Sequence, residues 1–353
     1  MATGALSVDT PKLSRRTSAV GRELQQVLGL LVALAVVYGV MVGLSAVDVG
    51  ESFWDVGGWR LRAPILLIDR HGHVNWDNQR NILEQGAINV VLGVGMTLVI
   101  LSGEIDLSVG SVLTLCNVLF VVGASQRYGA GSVPLGVAMA LGGGLIVGCV
   151  NGILSARFKV PSFVVTLGML MAAAGTAHLV TMGVSEGQTI YLPCSLEAKR
   201  VIPLVVSVGL VALAWLILGQ TRFGRHVYAV GGSAEAARLS GISVVGVKVG
   251  VFAFAGLAAG LAGIVKWARV SSGTHVVEEP YELYAIAAAV IGGTSLMGGR
   301  GNVLGTFVGA LIIAVLIKGL STLGVHESVQ KIIIGAVIIT AVLYDRRRAG
   351  SVG

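Results

Sequence analysis

Long stretches without a charged residue alternate with short polar segments along this chain. Ten such stretches are present, at residues 24–47, 85–103, 107–126, 128–156, 160–185, 201–221, 249–265, 283–299, 301–317 and 332–344. A helix that crosses a bilayer needs about 20 mostly apolar residues. The pattern therefore predicts an all-α polytopic membrane protein with about ten transmembrane helices.

The polar segments predict how the chain is arranged across the membrane. Residues 1–22 and 346–353 form basic tails that flank a transmembrane domain at 23–345. An even number of spans places both tails on one side, and their lysines and arginines predict that this side is the cytoplasm. Residues 48–80 then form an extracytoplasmic loop and residues 220–248 a cytoplasmic loop.

The composition excludes most soluble proteins. Charged residues make up 12% of the chain, about half the ~25% that soluble domains carry. The net charge of +7 does not indicate nucleic-acid binding, because the basic residues lie in short segments beside apolar stretches. Outer-membrane barrels are excluded as well, since their strands show short alternating patterns.

No enzyme motif is present in the sequence. The chain lacks the GxxxxGK[ST] phosphate loop and the HExxH and GxSxG signatures. Its three cysteines, Cys116, Cys149 and Cys194, are too far apart for a metal motif or a disulfide framework. We therefore expect no cofactor in this chain, and any ATP-driven work must come from a partner.

One acidic break lies between two apolar stretches. Residues 103–111 read GEIDLSVGS, and an acid inside a bilayer indicates either function or a helix end. Asp106, which Ser108 follows, can be a helix N-cap with its carboxylate on free backbone N–H groups, or this polar break can line a solute path, and both interpretations stay open. Further polar candidates for a translocation path lie inside predicted helices: Asn89, Asn117, Asn151, Thr166 and Asn302.

A short helix is predicted within the cytoplasmic loop. Residues 221–242 read TRFGRHVYAVGGSAEAARLSGI, in which Ser233 can cap a helix and Glu235 suits its first turn. Gly241 can end the helix. Such an element is suited to docking a partner, although a helix that merely lies at the membrane interface has the same pattern.

Glycines at helical spacing predict close helix packing. Gly256 and Gly260 are four residues apart, as are Gly301, Gly305 and Gly309. Small residues let helix backbones approach closely in lipid. The acids Glu279 and Glu282 fall between two apolar stretches and are assigned to an external loop.

Four sequence blocks together resemble a known family. They are GEIDLSVGS at 103–111, VPSFVVTLGML at 160–170, the 221–242 block and AIAAAVIGGTSLMGGRG at 285–301. Residues 235–241 fit the EAAxxxG pattern of ABC-importer permeases, and the chain resembles the ribose/xylose-type sugar permeases over roughly 76–345. Tyr284 stands where that family usually has an acid, which leaves the identity of the sugar open.

The resemblance implies an ABC importer permease fold and its partners. The family forms a homodimer in the bacterial inner membrane, with a cytoplasmic ATPase that binds ATP and Mg²⁺ and a periplasmic sugar-binding protein. The resemblance places the ATPase contact on a coupling helix that includes Gly232, Ser233, Glu235, Ala236, Ala237, Arg238 and Gly241. The chain would then form the import path for a monosaccharide. Two alternatives remain: a branched-chain amino-acid permease, and a membrane protein with a structural or signalling role.

Overall fold

The computed structural model describes residues 12–47, 53–56, 59–62, 74–128, 131–184, 189–277 and 279–350. Much of the predicted 48–80 loop and the outer ends of both predicted tails lie outside the described residues. The second half of the 1–22 tail continues directly into the first apolar helix.

The described chain consists of helices and two small hairpins. The helices are α1 Lys12–Val47, α2 Trp76–Leu101, α3 Val109–Ala124, α4 Val133–Ala156, α5 Ser162–Val184, α6 Leu196–Gln220, α7 Arg222–Gly232, α8 Ala234–Leu239, α9 Val244–Val270, α10 Tyr281–Ile291, α11 Val303–Thr322 and α12 Glu327–Gly350. The strands are β1 Phe53–Val56, β2 Trp59–Arg62, β3 Thr189–Tyr191 and β4 Ser272–Thr274. Strand β1 pairs antiparallel with β2, and β3 pairs antiparallel with β4.

Seven of the described helices are long and apolar enough to cross a membrane. They are α1, α2, α4, α5, α6, α9 and α11, while α3 and α10 are apolar but shorter. Each of the ten charge-free stretches overlaps one helix. The prediction of an α-helical membrane protein is confirmed at this level, and the count of ten spans stays a prediction.

Two predicted loops are shorter in the structure. Helix α2 begins at Trp76, before the predicted loop ends at residue 80, and the side chain of Asn75 accepts a hydrogen bond from the Asn78 N–H. Arg80 and Glu84 form an i,i+4 ion pair at 2.5 Å, so this charged turn is helical. At the other loop, α9 already begins at Val244 and contains Lys248, which pairs with Glu104.

The prediction of one helical stretch over 283–299 is wrong in its second half. Helix α10 ends at Ile291, and residues 292–302 form an irregular loop. Gly293, Gly298 and Gly299 have φ angles of 87°, 82° and 71°, which are left-handed values that break a helix. Thus α10 has 11 residues, about half the number needed to span a bilayer.

Helix α2 forms the centre of the bundle. From Gln85 to Leu101 every residue is buried, and the helix is surrounded by α6, α9, α10 and α11. Buried hydroxyls also join the helices, as Thr97 Oγ1 lies 2.6 Å from Thr306 Oγ1 of α11. Helices α1, α4, α5 and α6 leave large apolar surfaces exposed, which suits contact with lipid.

Helices α4 and α9 pack with their backbones in contact. A Cβ atom added to Gly144 would overlap the carbonyl oxygen of Gly256, and one added to Gly256 would overlap that of Gly144. Gly260 similarly approaches the backbone at Ala140. The predicted role of Gly256 and Gly260 in close packing is confirmed. Gly305 and Gly309 do the same against the backbone of α10 and its end.

Candidate functional site

Several connections between helices meet at one end of the bundle, the α8 end. The end of α2, the α4–α5 turn, the α7–α8 element, the start of α9 and the loop between α10 and α11 all lie there. The N-terminal half of α1 also reaches this end, where Gln26 Nε2 donates to the Gly292 carbonyl oxygen at 3.2 Å.

Helix α8 is short, capped at both ends and exposed. The Ser233 side chain accepts a hydrogen bond from the Ala236 N–H at 3.2 Å, which confirms the predicted cap. At the other end the Gly241 N–H bonds to the Arg238 carbonyl oxygen and the Ile242 N–H to that of Ala237, a Schellman motif. Gly241 has φ 81°, so its predicted left-handed conformation is confirmed as well.

The outer face of α8 carries an ion pair. Arg238 Nη2 lies 2.7 Å from Glu235 Oε1, and both side chains are about two-thirds exposed. Hydrogen bonding to Arg238 lowers the pKa of Glu235, so the carboxylate is ionised near neutral pH. Ala237, on the inner face, is 4% exposed. The helix therefore packs on the bundle through one residue and presents a charged outer face.

Helix α7 connects α8 to the centre of the bundle. A Cβ atom at Gly231 would overlap the Leu101 carbonyl oxygen at the end of α2 and would lie 2.6 Å from the Gly299 nitrogen. The Tyr228 hydroxyl donates to the Gly301 carbonyl oxygen at 2.8 Å. A displacement of α8 would therefore act on α2 and on the loop before α11, because α7 contacts both without intervening side chains.

A cleft of about 740 Å³ lies beside α8. The α4–α5 turn, α8 and the first turns of α9 line it, and Lys159, Glu235, Arg238 and Lys248 give it a mixed charge. Lys248 forms its ion pair with Glu104 there, and these side chains are 22% and 11% exposed. The pair holds the loop after α2 against the start of α9.

Asp106 is the centre of a buried hydrogen-bond network. Its Oδ1 accepts from the backbone N–H of Ser108 at 2.8 Å and from the Ser108 hydroxyl at 2.6 Å. Asn151 Nδ2 of α4 donates to the same hydroxyl at 2.9 Å. On the other side, Thr166 Oγ1 of α5 accepts from the Leu107 N–H at 3.1 Å. Four of the predicted path residues thus form a single cluster.

The capping role predicted as one interpretation of Asp106 is wrong in its position. Helix α3 begins at Val109 with Ser108 as its N-cap residue, so Asp106 lies two residues before the cap and stabilises the turn that leads into the helix. Asp106 is 3% exposed, and the space beside it and Asn151 is too small to admit a water molecule. Whether this cluster lines a path in another conformation stays a prediction.

The remaining predicted path residues lie elsewhere. Asn302 is the N-cap residue of α11, since its Oδ1 accepts from the Gly305 N–H. Asn117 Nδ2 donates to the carbonyl oxygens of Gly263 and Ser272, and its Oδ1 accepts from the Thr274 N–H. Asn89 is 1% exposed, and neither its side-chain nitrogen nor its oxygen has a hydrogen-bond partner within the described residues.

We expect different effects from two substitutions of Asp106. Asp106→Asn keeps an oxygen that can accept from Ser108 and should retain much of the parent's stability. Asp106→Leu leaves the Ser108 N–H and hydroxyl without their acceptor, which costs about 1–3 kcal/mol when such groups are buried. Thermal unfolding of the two purified variants in detergent measures the difference. Equal midpoints would contradict the role assigned to this network.

A segment that re-enters the bundle could not be predicted from the sequence. After α9 the chain turns at Ser271, with φ 58°, and runs back along α3, where Asn117 binds Ser272 and Thr274. It ends at Glu282, whose carboxylate lies against Gly110 in the first turn of α3. Glu279 and Glu282 are thus half-buried against α2 and α3, and not in a fully exposed external loop as expected. No periodicity in the sequence marks this return, because the segment is too short and irregular to show one.

Comparison with known proteins finds transport permeases. The sequence pattern of a family described as "Branched-chain amino acid transport system / permease component" matches residues 78–342. The ribose import permease protein of Escherichia coli strain K12 is 42% identical over 245 residues, which cover 67% of this chain and 75% of that protein. No solved structure matches the chain.

Two further relatives carry other sugar names. The fructose import permease protein of Rhizobium meliloti is 38% identical over 247 residues, or 66% of this chain and 68% of that protein. The xylose transport system permease protein of Escherichia coli strain K12 is 34% identical over 306 residues, or 67% of this chain and 76% of that protein. On the extent of the match and the identity to these relatives, the chain belongs to the family described as the permease component of branched-chain amino acid transport systems.

Proposed function

We propose that this chain is the membrane subunit of an ATP-driven importer of a monosaccharide and forms its translocation path. The similarity to ribose, fructose and xylose permeases supports a sugar as the transported substrate. The description of the family names branched-chain amino acids, but these relatives are named for sugars. No catalytic motif is present in the sequence, so the chain's own role is to open and close a path.

The position and contacts of helix α8 are the main support for this proposal. It is exposed and capped at both ends. Through α7 it is connected to the end of α2 and to the irregular loop of residues 292–302 before α11. An ATPase that docks on the charged face of α8 would therefore move the central helix when it changes shape. Such a coupling helix needs a firm connection to the spans, and the backbone contact at Gly231 provides one.

The further components follow from this role. A cytoplasmic ATPase binds ATP and Mg²⁺, a periplasmic binding protein delivers the sugar, and a second copy of the chain completes a homodimer in the inner membrane. Ten membrane crossings would place both termini and the α8 end in the cytoplasm, with α10 and the segment before it together forming one crossing. The exposed apolar helices would contact lipid and the second copy.

The proposal is tested by purifying the tagged chain from its own membranes under mild conditions. We expect an ABC ATPase to co-purify, and we expect the ligand of the associated binding protein to be a monosaccharide. Absence of an ATPase would favour the structural or signalling alternative, and a branched-chain amino acid as the ligand would favour the other permease type.

The orientation is tested with single cysteines. In a variant without Cys116, Cys149 and Cys194, one cysteine is placed at Trp76 and another at Leu239, both of which are exposed. An impermeant thiol reagent added to intact spheroplasts should label the cysteine at residue 76 and not the one at 239, which should react only after lysis. Labelling of both from outside would contradict the orientation.

A further inference from the structure

A cleft of about 470 Å³ lies between the start of α10, the segment before it and the first turns of α12. Its polar lining comes from Glu279, Glu282, Tyr284 and Lys331, and its apolar wall includes Ile334 and Ile338. This volume is within the about 300–1,000 Å³ typical of small-molecule sites. Small-molecule sites also usually combine a few polar groups with a mostly apolar lining, as this cleft does.

The cleft adjoins the interior of the bundle at Glu279 and Glu282, which contact Gln85 of α2 and Gly110 of α3. The segment after α9 runs back along α3 as far as its first turn, where Glu282 lies against Gly110. Irregular backbone at membrane depth is tolerated where it is buried in protein or lines a cavity. Ionisable residues at that depth are costly and usually belong to a substrate or ion path.

The two carboxylates differ in their surroundings. Glu279 accepts hydrogen bonds from Gln85 Nε2 of α2 at 3.2 and 3.3 Å. Glu282 is half-buried, and no side chain among the described residues donates a hydrogen bond to its carboxylate. The Glu282 oxygens can therefore accept hydrogen bonds from a ligand in the cleft.

Asn89 is an independent sign of a polar ligand. It lies one helical turn from Gln85 on the same side of α2, the side that meets Glu279. Its amide is buried and both polar atoms lack partners within the described residues. A buried polar group without a partner is costly and calls for an explanation. Asn89 does not line the cleft in this structure, so a ligand that carries several hydroxyls would supply the missing partners only after the segment before α10 moves.

We propose that this cleft is a transient binding site for a monosaccharide on its way through the permease, an inference that rests on the proposed function. The carboxylate of Glu282 accepts from sugar hydroxyls, as charge-assisted hydrogen bonds of this kind are strong. The apolar wall of Ile334 and Ile338 contacts the C–H face of the ring. Lys331 is already paired with Glu327 at 2.7 Å, so the cleft is suited to a neutral ligand with many donors and not to a carboxylate.

Thiol protection tests occupancy directly. Ile338→Cys is made in the variant without native cysteines, which leaves every polar group of the cleft in place. D-ribose, D-xylose, D-fructose and L-leucine are each added to membranes before a water-soluble thiol reagent. We expect one of the sugars to slow labelling, to about half at a concentration equal to its dissociation constant. Val329→Cys, in the first turn of α12 outside the cleft, is the control and should be unaffected.

Uptake tests the contribution of Glu282. In vesicles that contain the permease with its ATPase and binding protein, Glu282→Gln should lower sugar uptake about tenfold, since hydrogen bonds to charged groups are the strong ones. Glu197→Gln changes an exposed acid in the first turn of α6 and should match the parent. ATPase co-purification should be the same in all three.

The outcomes separate this site from the proposed function. A parent that imports a sugar, together with unprotected Ile338→Cys and normal uptake by Glu282→Gln, would overturn the site alone. A parent that imports none of the sugars would overturn both. If Glu282→Gln fails to insert, the protection measurement on Ile338→Cys decides, and protection by L-leucine instead of a sugar would count against the proposal.

Discussion

Gly256→Leu should prevent the helices from assembling. Gly256 and Gly144 meet backbone to backbone, and a Cβ atom at Gly256 would lie 3.0 Å from the Gly148 Cα as well as overlapping the Gly144 carbonyl oxygen. Neither neighbour is a flexible side chain that can move away. Overpacking costs about 1–3 kcal/mol where side chains can adjust, and more is expected where only backbone can move.

Size-exclusion chromatography of a fluorescent fusion measures this effect in detergent extracts. We expect the Gly256→Leu variant to lose most of the monodisperse peak at equal expression. Gly142→Leu is the matched control, because Gly142 lies on α4 with no atom within 4 Å of an added Cβ. An intact peak for Gly256→Leu would mean that α4 and α9 do not pack as described.

Gly241→Val should leave the fold intact and uncouple the permease from its ATPase. Gly241 has φ 81°, and a left-handed conformation costs an L-residue about 1–2 kcal/mol, with β-branched residues at the unfavourable end. There is open space around this position, so the effect arises from the backbone of the α8 Schellman motif and not from a clash. The change should reorient α8 without altering the spans.

ATPase co-purification and ATP hydrolysis stimulated by the loaded binding protein are the measurements for this variant. Both should fall several-fold at equal membrane abundance. Gly219→Val is the control, since Gly219 also has open space and lies in the regular helix α6 close to the same end. Normal values for Gly241→Val would refute the coupling role of α8 and leave the fold untouched.

The helices could be predicted because the bilayer imposes a length and a composition on them. Each charge-free stretch overlaps a helix. The ends of α8 could be predicted as well, because Ser233 caps the helix by a local hydrogen bond and Gly241 ends it by its backbone conformation. Such helix ends depend on only a few adjacent residues, so they can be recognised without knowledge of the tertiary structure.

The centre of the bundle could not be predicted in the same way. The glycines of 292–301 break α10, whereas Gly256 and Gly260 lie within a regular helix, and a glycine in a sequence does not show which of the two applies. Glu279 and Glu282 looked like loop acids because they lie between apolar stretches. Their burial depends on the chain turning back at Ser271, which only the contacts with Asn117 and Gly110 reveal.

The clustering of Asp106, Ser108, Asn151 and Thr166 also depends on the tertiary fold. Each was recognisable as a polar residue in or beside an apolar stretch, but three different helices bring them together. Asn302 meets the same criterion but is a helix cap. The sequence alone does not show whether such a polar residue joins a buried hydrogen-bond network or caps a helix.

The most direct measurement is uptake by proteoliposomes reconstituted from the purified permease, its ATPase and its binding protein. A monosaccharide, offered beside leucine, isoleucine and valine, should accumulate inside only when all three proteins and ATP are present, and the Gly241→Val permease should abolish most of this uptake. Accumulation of a branched-chain amino acid, or sugar uptake that is independent of ATP, would contradict the function assigned to this chain.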